Sequence, residues 1–175
     1  MKHIPNLKKQ GIPHRQQGVM LLEALIGLMI FSIGILAMIG IQAAAFSAAA
    51  DAKYRADAAA YANDIISGIW VGVDRSTDAS TITSLNKFQY NTSGANCAYT
   101  GGAVDNTNTT LSNWINAVTG TGGLLGATAA MQQITVAGAG PLVGSPDRNR
   151  VTVTICWQSP QDLAPRKHQV ITYVY

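Results

Sequence analysis

Apolar residues are distributed very unevenly along this chain. From Val19 to Ala50 the sequence VMLLEALIGLMIFSIGILAMIGIQAAAFSAAA holds a single charged residue, Glu23. A bilayer is crossed by about 20 apolar residues in a helix, so this stretch is long enough to span one. Helical character continues past the apolar run, because residues from Ala43 to about Val71 are rich in alanine and free of proline. Phe46, Ala50, Tyr54, Ala58, Tyr61, Ile65 and Ile69 recur at intervals that fall on one helix face, while Asp51, Lys53, Arg55, Asp57 and Asp64 lie mostly on others. That is the pattern of an amphipathic helix. Together the segments predict one helix, membrane-spanning over 19–42 and amphipathic over 43–72, roughly 80 Å long at 1.5 Å per residue.

After Gly72 the sequence turns to Ser, Thr, Asn and Gly. Residues 73–130 read mainly as loops, with short elements around Ile82 to Phe88 and a short helix at Leu111 to Val118. The stretch GTGGLLGATAA, Gly120 to Ala130, reads as a flexible connection. Three strands are predicted beyond it: Gln133 to Val136, Arg150 to Trp157 and Gln169 to Tyr175. In RVTVTICW, Val151, Val153, Ile155 and Trp157 alternate with Thr152, Thr154 and Cys156, the period of two expected of a strand. Val170, Thr172 and Val174 alternate likewise with Ile171, Tyr173 and Tyr175, and SPQDLAPRKH suits a long hairpin connection. The fold class expected is α+β: a long N-terminal helix packed on a C-terminal antiparallel sheet, residues 73–175 forming one globular domain. Trp114 and Trp157 are expected in its core, and Trp70 against the sheet or a partner. The triplets beginning at Asn91 and Asn108 match the glycosylation pattern but read as ordinary loop composition.

Charge changes the picture at the N-terminus. The chain has 12 Lys and Arg against 9 Asp and Glu, yet Lys2, Lys8, Lys9 and Arg15 all precede the apolar run, in a stretch without acids. Residues 1–18 are polar and interrupted by Pro5, Gly11 and Pro13, so they are excluded from the fold. Positive charge before the span predicts a cytoplasmic N-terminus and an exported C-terminal part. The rest of the chain is close to neutral, which gives no nucleic-acid surface. The two cysteines, Cys97 and Cys156, lie in the exported part, where oxidising conditions favour a disulfide. Two free thiols are the alternative. Metal binding is disfavoured, since the pair lacks the clustered spacing of zinc ligands.

Glu23 is the candidate functional residue. An ionisable group inside a span costs about 2.5 to 3.5 kcal/mol on insertion scales. Cleavage between Gly18 and Val19 would supply a partner, because the new amino group would stand four residues before Glu23 on the same helix face. Glycine lets a peptidase approach the backbone closely. Taken alone, the glutamate also fits a signal anchor whose carboxylate reaches back to water. A secretory signal, however, is cut after its apolar region, whereas here the cut site precedes it.

Basic residues, Gly18-Val19-Met20-Leu21-Leu22-Glu23 and an apolar helix in that order resemble the leader of type IV prepilins. The string GVMLLEALIGLMIFSIGILAMIGIQ is similar to minor pilins of the PilV kind, through Leu21-Leu22-Glu23-Ala24-Leu25, Ser32-Ile33-Gly34-Ile35-Leu36 and Gly40-Ile41-Gln42. The resemblance covers about residues 15–45. It implies cleavage after Gly18 by a prepilin peptidase, N-methylation of Val19, and a subunit-assembly role for Glu23. Val19 stands where phenylalanine is usual, and Gly40 where major pilins commonly have proline. As partners it implies other minor pilins, the major pilin, a large tip adhesin, and the inner membrane before assembly.

Gly27, Gly34, Gly40, Ser32 and Ser47 are small enough for close helix contacts in a filament core, or are simply tolerated by lipid. No enzyme signature appears: GxSxG, HExxH and the phosphate-binding GxxxxGK[ST] are missing, and with His3 and His14 in the leader His168 stands alone. No cofactor is implied. The expectation is a structural protein of pilus assembly, serving adhesion, twitching motility and DNA uptake. Its rivals are a minor pseudopilin of a type II secretion system and a signal-anchored periplasmic binding module or enzyme.

Overall fold

A computed structural model describes residues 17–137 and 149–175 of the chain. The basic leader residues Lys2, Lys8, Lys9 and Arg15 lie outside the described residues. Helix α1 runs Gln17–Gly72, 56 residues without a break. Its apolar part is long and apolar enough to cross a membrane. The chain divides into two compact units, one ending at Ala48 and one running from Ala49 to Tyr175.

In the first unit every described residue from Val19 onward is exposed, including Phe46 at 76%. Phe46 therefore does not belong to the buried face that its spacing suggested. In the second unit α1 buries Ala58, Ala62, Ile65 and Ile69, with Tyr54 and Tyr61 half-buried beside them. These positions recur every three or four residues, as one face of a helix must. Two of them are alanines, which leave room for neighbouring side chains close to the helix backbone. The helix ends where Val73 N–H bonds back to the Ile69 carbonyl. The Arg75 guanidinium then donates to the carbonyls of Trp70, at 2.8 Å, and Val73, at 3.2 Å. Those carbonyls would otherwise lack intrahelical partners.

Helix α2, Asp78–Asn86, begins four residues before the element expected there, because the Thr77 hydroxyl accepts from Ser80 N–H at 3.0 Å and caps it. A hairpin of β1, Ser93–Ala95, and β2, Ala98–Thr100, occupies a stretch read as loop. Its turn residues Asn96 and Cys97 both have positive φ, and the sequence lacks the Asn-Gly pair that would have announced such a turn. Helix α3, Thr109–Thr119, is capped by the Asn108 side chain, which accepts from Leu111 N–H at 3.1 Å. It buries Leu111, Trp114 and Val118, and the Trp114 indole donates to the Tyr61 carbonyl of α1 at 2.8 Å.

The Gly120 to Ala130 stretch is a packed turn rather than a loose connection. Leu124 is 4% exposed and bonds back to the Val118 carbonyl, and Gln158 N–H reaches the Leu125 carbonyl. Gly126 has φ +69°, and an added Cβ would collide with the Gln158 carbonyl, so this turn requires glycine there.

A single 3₁₀ turn, Ala129–Met131, leads into an antiparallel sheet of β3, Gln133–Ala137, β4, Arg150–Trp157, and β5, Arg166–Tyr173, in that spatial order. β5 starts three residues before the expected position and ends two before it. Register explains the shift, since β4 is paired along its whole length, from Arg150 with Tyr173 to Trp157 with Arg166. Val151, Val153, Ile155 and Trp157 share one core with Ile65 and Ile69 of α1. Thr154 and Cys156, on the opposite face, are buried as well. β4 is therefore the central strand, covered on both sides.

Candidate functional site

Gly18, Val19 and Glu23 all lie in the first two turns of α1. Val19 is 67% exposed and Glu23 is exposed too, one helical turn further on. Among the described residues Glu23 has no hydrogen-bond or ion-pair partner. From Ala24 to Ala50 no charge follows it. The Ser32 hydroxyl donates to the Leu28 carbonyl at 2.7 Å, which satisfies it within the helix. A Cβ added at Gly27, Gly34 or Gly40 would meet nothing within 4 Å, so the small size of these residues serves no contact inside the chain. The arrangement is a lone carboxylate on an uncovered apolar rod. Such a group can pair with a cation brought into the same apolar surroundings, and the amino group of a chain beginning at Val19 would be one.

Cys97 and Cys156 form a disulfide that links the β1–β2 turn to the central strand β4. Tyr99 and the half-buried Met131 pack around it. Gln132, fully buried just before β3, extends the sheet with its side chain. It donates to the Cys156 carbonyl at 2.9 Å and accepts from Cys156 N–H at 3.2 Å. Asn91, 4% exposed and in the left-handed region at φ 49°, donates to the carbonyls of Ala129 and Gln132 and accepts from Gly102 N–H. Its side chain is thus committed to the fold. Asn108 is the cap of α3, so both triplets have structural uses.

A charged cluster missed in the sequence sits where the second unit begins. Arg166, the first residue of β5, donates through Nε and Nη2 to both carboxylate oxygens of Asp162, at 3.0 and 2.7 Å, and through Nη1 to Asp51 of α1. Arg55 also pairs with Asp51, at 3.1 Å. The Arg166 hydrogen bonds hold the Asp162 carboxyl below the usual aspartate range, against a smaller opposing effect of burial. Asp162 in turn holds the Arg166 proton more firmly. Asp74 and Asp105 are lowered as well, by hydrogen bonds from Ser76 and Thr107 within their own tight turns. Asp51–Arg55 and Asp162–Arg166 are each spaced four residues apart, but 115 residues separate Asp51 from Arg166, so no local pattern announces that the two pairs meet.

At the far end of α1, Arg75 lies 5.1 Å from the centre of the Trp70 ring and donates to the Tyr175 carbonyl at 3.1 Å. Among the described residues no three His, Cys, Asp or Glu side chains are grouped to hold a metal ion. A hollow of about 350 Å³ beside Gly68, Thr110 and Trp114 has Asp64 as its sole ionisable group. Comparison with protein-family models, with curated proteins and with solved structures gave no match to this chain.

Proposed function

We propose that this chain is a minor pilin of the type IV pilus, made as a prepilin, cut after Gly18 and assembled through its long helix. The feature that carries the proposal is Glu23 standing one turn after the Gly18-Val19 bond, on a helix whose apolar residues are exposed from Val19 to Ala50. A carboxylate in that position draws the Val19 amine, of the same subunit or a neighbour, into axial register as the subunit leaves the lipid. Packing of apolar helices supplies the bulk of the contact, and the single polar pair supplies the register.

The α+β layout supports this reading, because a long helix continuous with a small disulfide-linked domain suits a subunit that contributes a rod to a filament core and a head to its surface. The protein works by assembly rather than catalysis. Its partners are the prepilin peptidase, other minor pilins, the major pilin and a large tip adhesin, in a complex that primes polymerisation at the tip.

The test is intact mass and N-terminal analysis of membrane-extracted protein from cells with and without the prepilin peptidase. A chain beginning at Val19, one methyl group heavier and dependent on the peptidase, is the expected result. An uncut chain in both strains, while other prepilins are processed normally, overturns the proposal and favours a signal-anchored module. Deleting the gene should then abolish pili while leaving type II secretion intact. The reverse outcome assigns the chain to a secretion pseudopilus.

A further inference from the structure

The two edges of the β3-β4-β5 sheet are not alike. Along β3, the Tyr90 N–H donates to the Ile134 carbonyl at 3.0 Å and the Ile134 N–H to the Tyr90 carbonyl at 2.9 Å, so that edge is partly closed. β5 forms the other edge, with β4 as its one strand neighbour. The direction of its backbone groups follows from the register. Val174 N–H donates to the Asn149 carbonyl, in line with the β4–β5 pairing that sets Arg150 opposite Tyr173. Backbone groups alternate in direction along an antiparallel strand. Even-numbered residues of β5 therefore bond toward β4, and Lys167, Gln169, Ile171 and Tyr173 turn their N–H and carbonyl groups outward. Among the described residues these outward groups have no hydrogen-bond partner.

Sheet edges are ordinarily blunted by shortness, proline, a bulge or charge. β5 is eight residues long, contains no proline and pairs with β4 without a bulge. Val170 packs against the core shared with α1, so the side chains of the outward-bonding residues lie on the other face of the sheet. There Lys167 and Gln169 are exposed and Ile171 is 53% exposed. Charge and apolar surface are thus at opposite ends of one row. Arg166 is taken up by Asp162 and Asp51, whereas Lys167 has no ion pair among the described residues.

We propose that the open edge of β5 is a docking site for an extended segment of a partner protein, which joins the sheet as an antiparallel fourth strand. Main-chain bonds to residues 167, 169, 171 and 173 supply the affinity, and the side chains opposite them supply the selection. The segment that fits is apolar where it meets Tyr173 and Ile171 and carries an acid opposite Lys167, because opposite charges across a strand pair attract. A second copy of this chain fits less well: β5 paired with another β5 about Val170 sets Tyr173, not an acid, opposite Lys167. The site lies wholly within the Ala49–Tyr175 unit and does not depend on how the chain is anchored or processed.

The probe is the peptide acetyl-Tyr-Thr-Val-Thr-Thr-Thr-Glu-amide, titrated into the full chain in detergent micelles and followed by NMR amide shifts and hydrogen exchange. Shifts and slowed exchange at Lys167, Gln169, Ile171 and Tyr173 are expected. Two N-methylated peptides separate strand addition from other binding. A methyl on the third residue, whose N–H faces Ile171, should weaken binding about tenfold, while one on the fourth, whose N–H faces away, should change it by less than about twofold. Lys167→Gln, at an exposed position, should weaken binding by up to about fivefold. Absence of shifts, shifts centred away from β5, or equal losses from the two methylations overturn the proposal. Dimers that form without peptide and already protect the β5 amides assign the edge to a second copy, which overturns it as well.

Discussion

Replacing both disulfide cysteines, Cys97→Ala with Cys156→Ala, should lower the melting temperature of the Ala49–Tyr175 unit by about 15 °C. The link closes a loop with a sequence separation of 59. In the chain-entropy model a loop of that size restricts the unfolded chain by about 4 kcal/mol. A unit of about 130 residues unfolds with an entropy near 0.27 kcal/mol/K, from about 2.1 cal/mol/K per residue, which converts that loss into the stated shift. Alanine isolates the loop-closure effect. It buries no new polar atom at Cys156, which is wholly buried, and it keeps the Cβ at Cys97, whose φ of 63° is equally unfavourable for either residue. The assay is near-ultraviolet circular dichroism of the full chain in detergent, which covers the apolar helix and follows Trp157 beside the link. Wild-type protein held in excess reductant should melt close to the double variant. A fall of less than about 5 °C, with an unchanged cooperative transition, would refute the reasoning, because it would mean that the unlinked hairpin is held nearly as well by Tyr99 and Asn91 alone.

Gln132→Ala should destabilise the unit by roughly 3 kcal/mol, since it strands the buried N–H and carbonyl of Cys156; urea unfolding measures the loss, and exchange of the Cys156 amide should quicken. The Asp162 carboxyl should titrate below the ordinary aspartate range in an NMR pH series. Because its pKa in the folded chain is lowered, the contribution of its pair with Arg166 is complete above the ordinary aspartate pKa and disappears as pH falls through the lower value. Arg166→Met should move the Asp162 midpoint back up, and an unmoved midpoint would show that Arg166 is not its cause. Glu23→Val should leave cleavage after Gly18 intact but remove the protein from sheared filaments, as read by immunoblot of filament and membrane fractions. Normal incorporation of that variant would discard the pairing role of Glu23.

Much of the architecture was legible because it depends on neighbours along the chain. The apolar run, the placement of Gly18, Val19 and Glu23, the alternation in β4 and the three-to-four spacing in α3 are all local patterns, and the structure has helix or strand in each place. The misses share a cause as well. Thr77 extends α2 through a cap, and the β1–β2 hairpin depends on two non-glycine residues at positive φ, a conformation that composition alone does not announce. β5 shifted because its limits follow from pairing with β4 rather than from its own alternation.

By itself the sequence determined that this protein has one long helix, apolar then amphipathic, with a single carboxylate in its apolar part, joined to a smaller region able to form strands. Tertiary structure alone decided that Asp51 meets Arg166, that Gln132 completes the sheet at Cys156, and that Phe46 is exposed rather than buried. Periodicity is carried by residues a few positions apart, whereas contacts between residues 51 and 166 exist only after the sheet and the helix have packed.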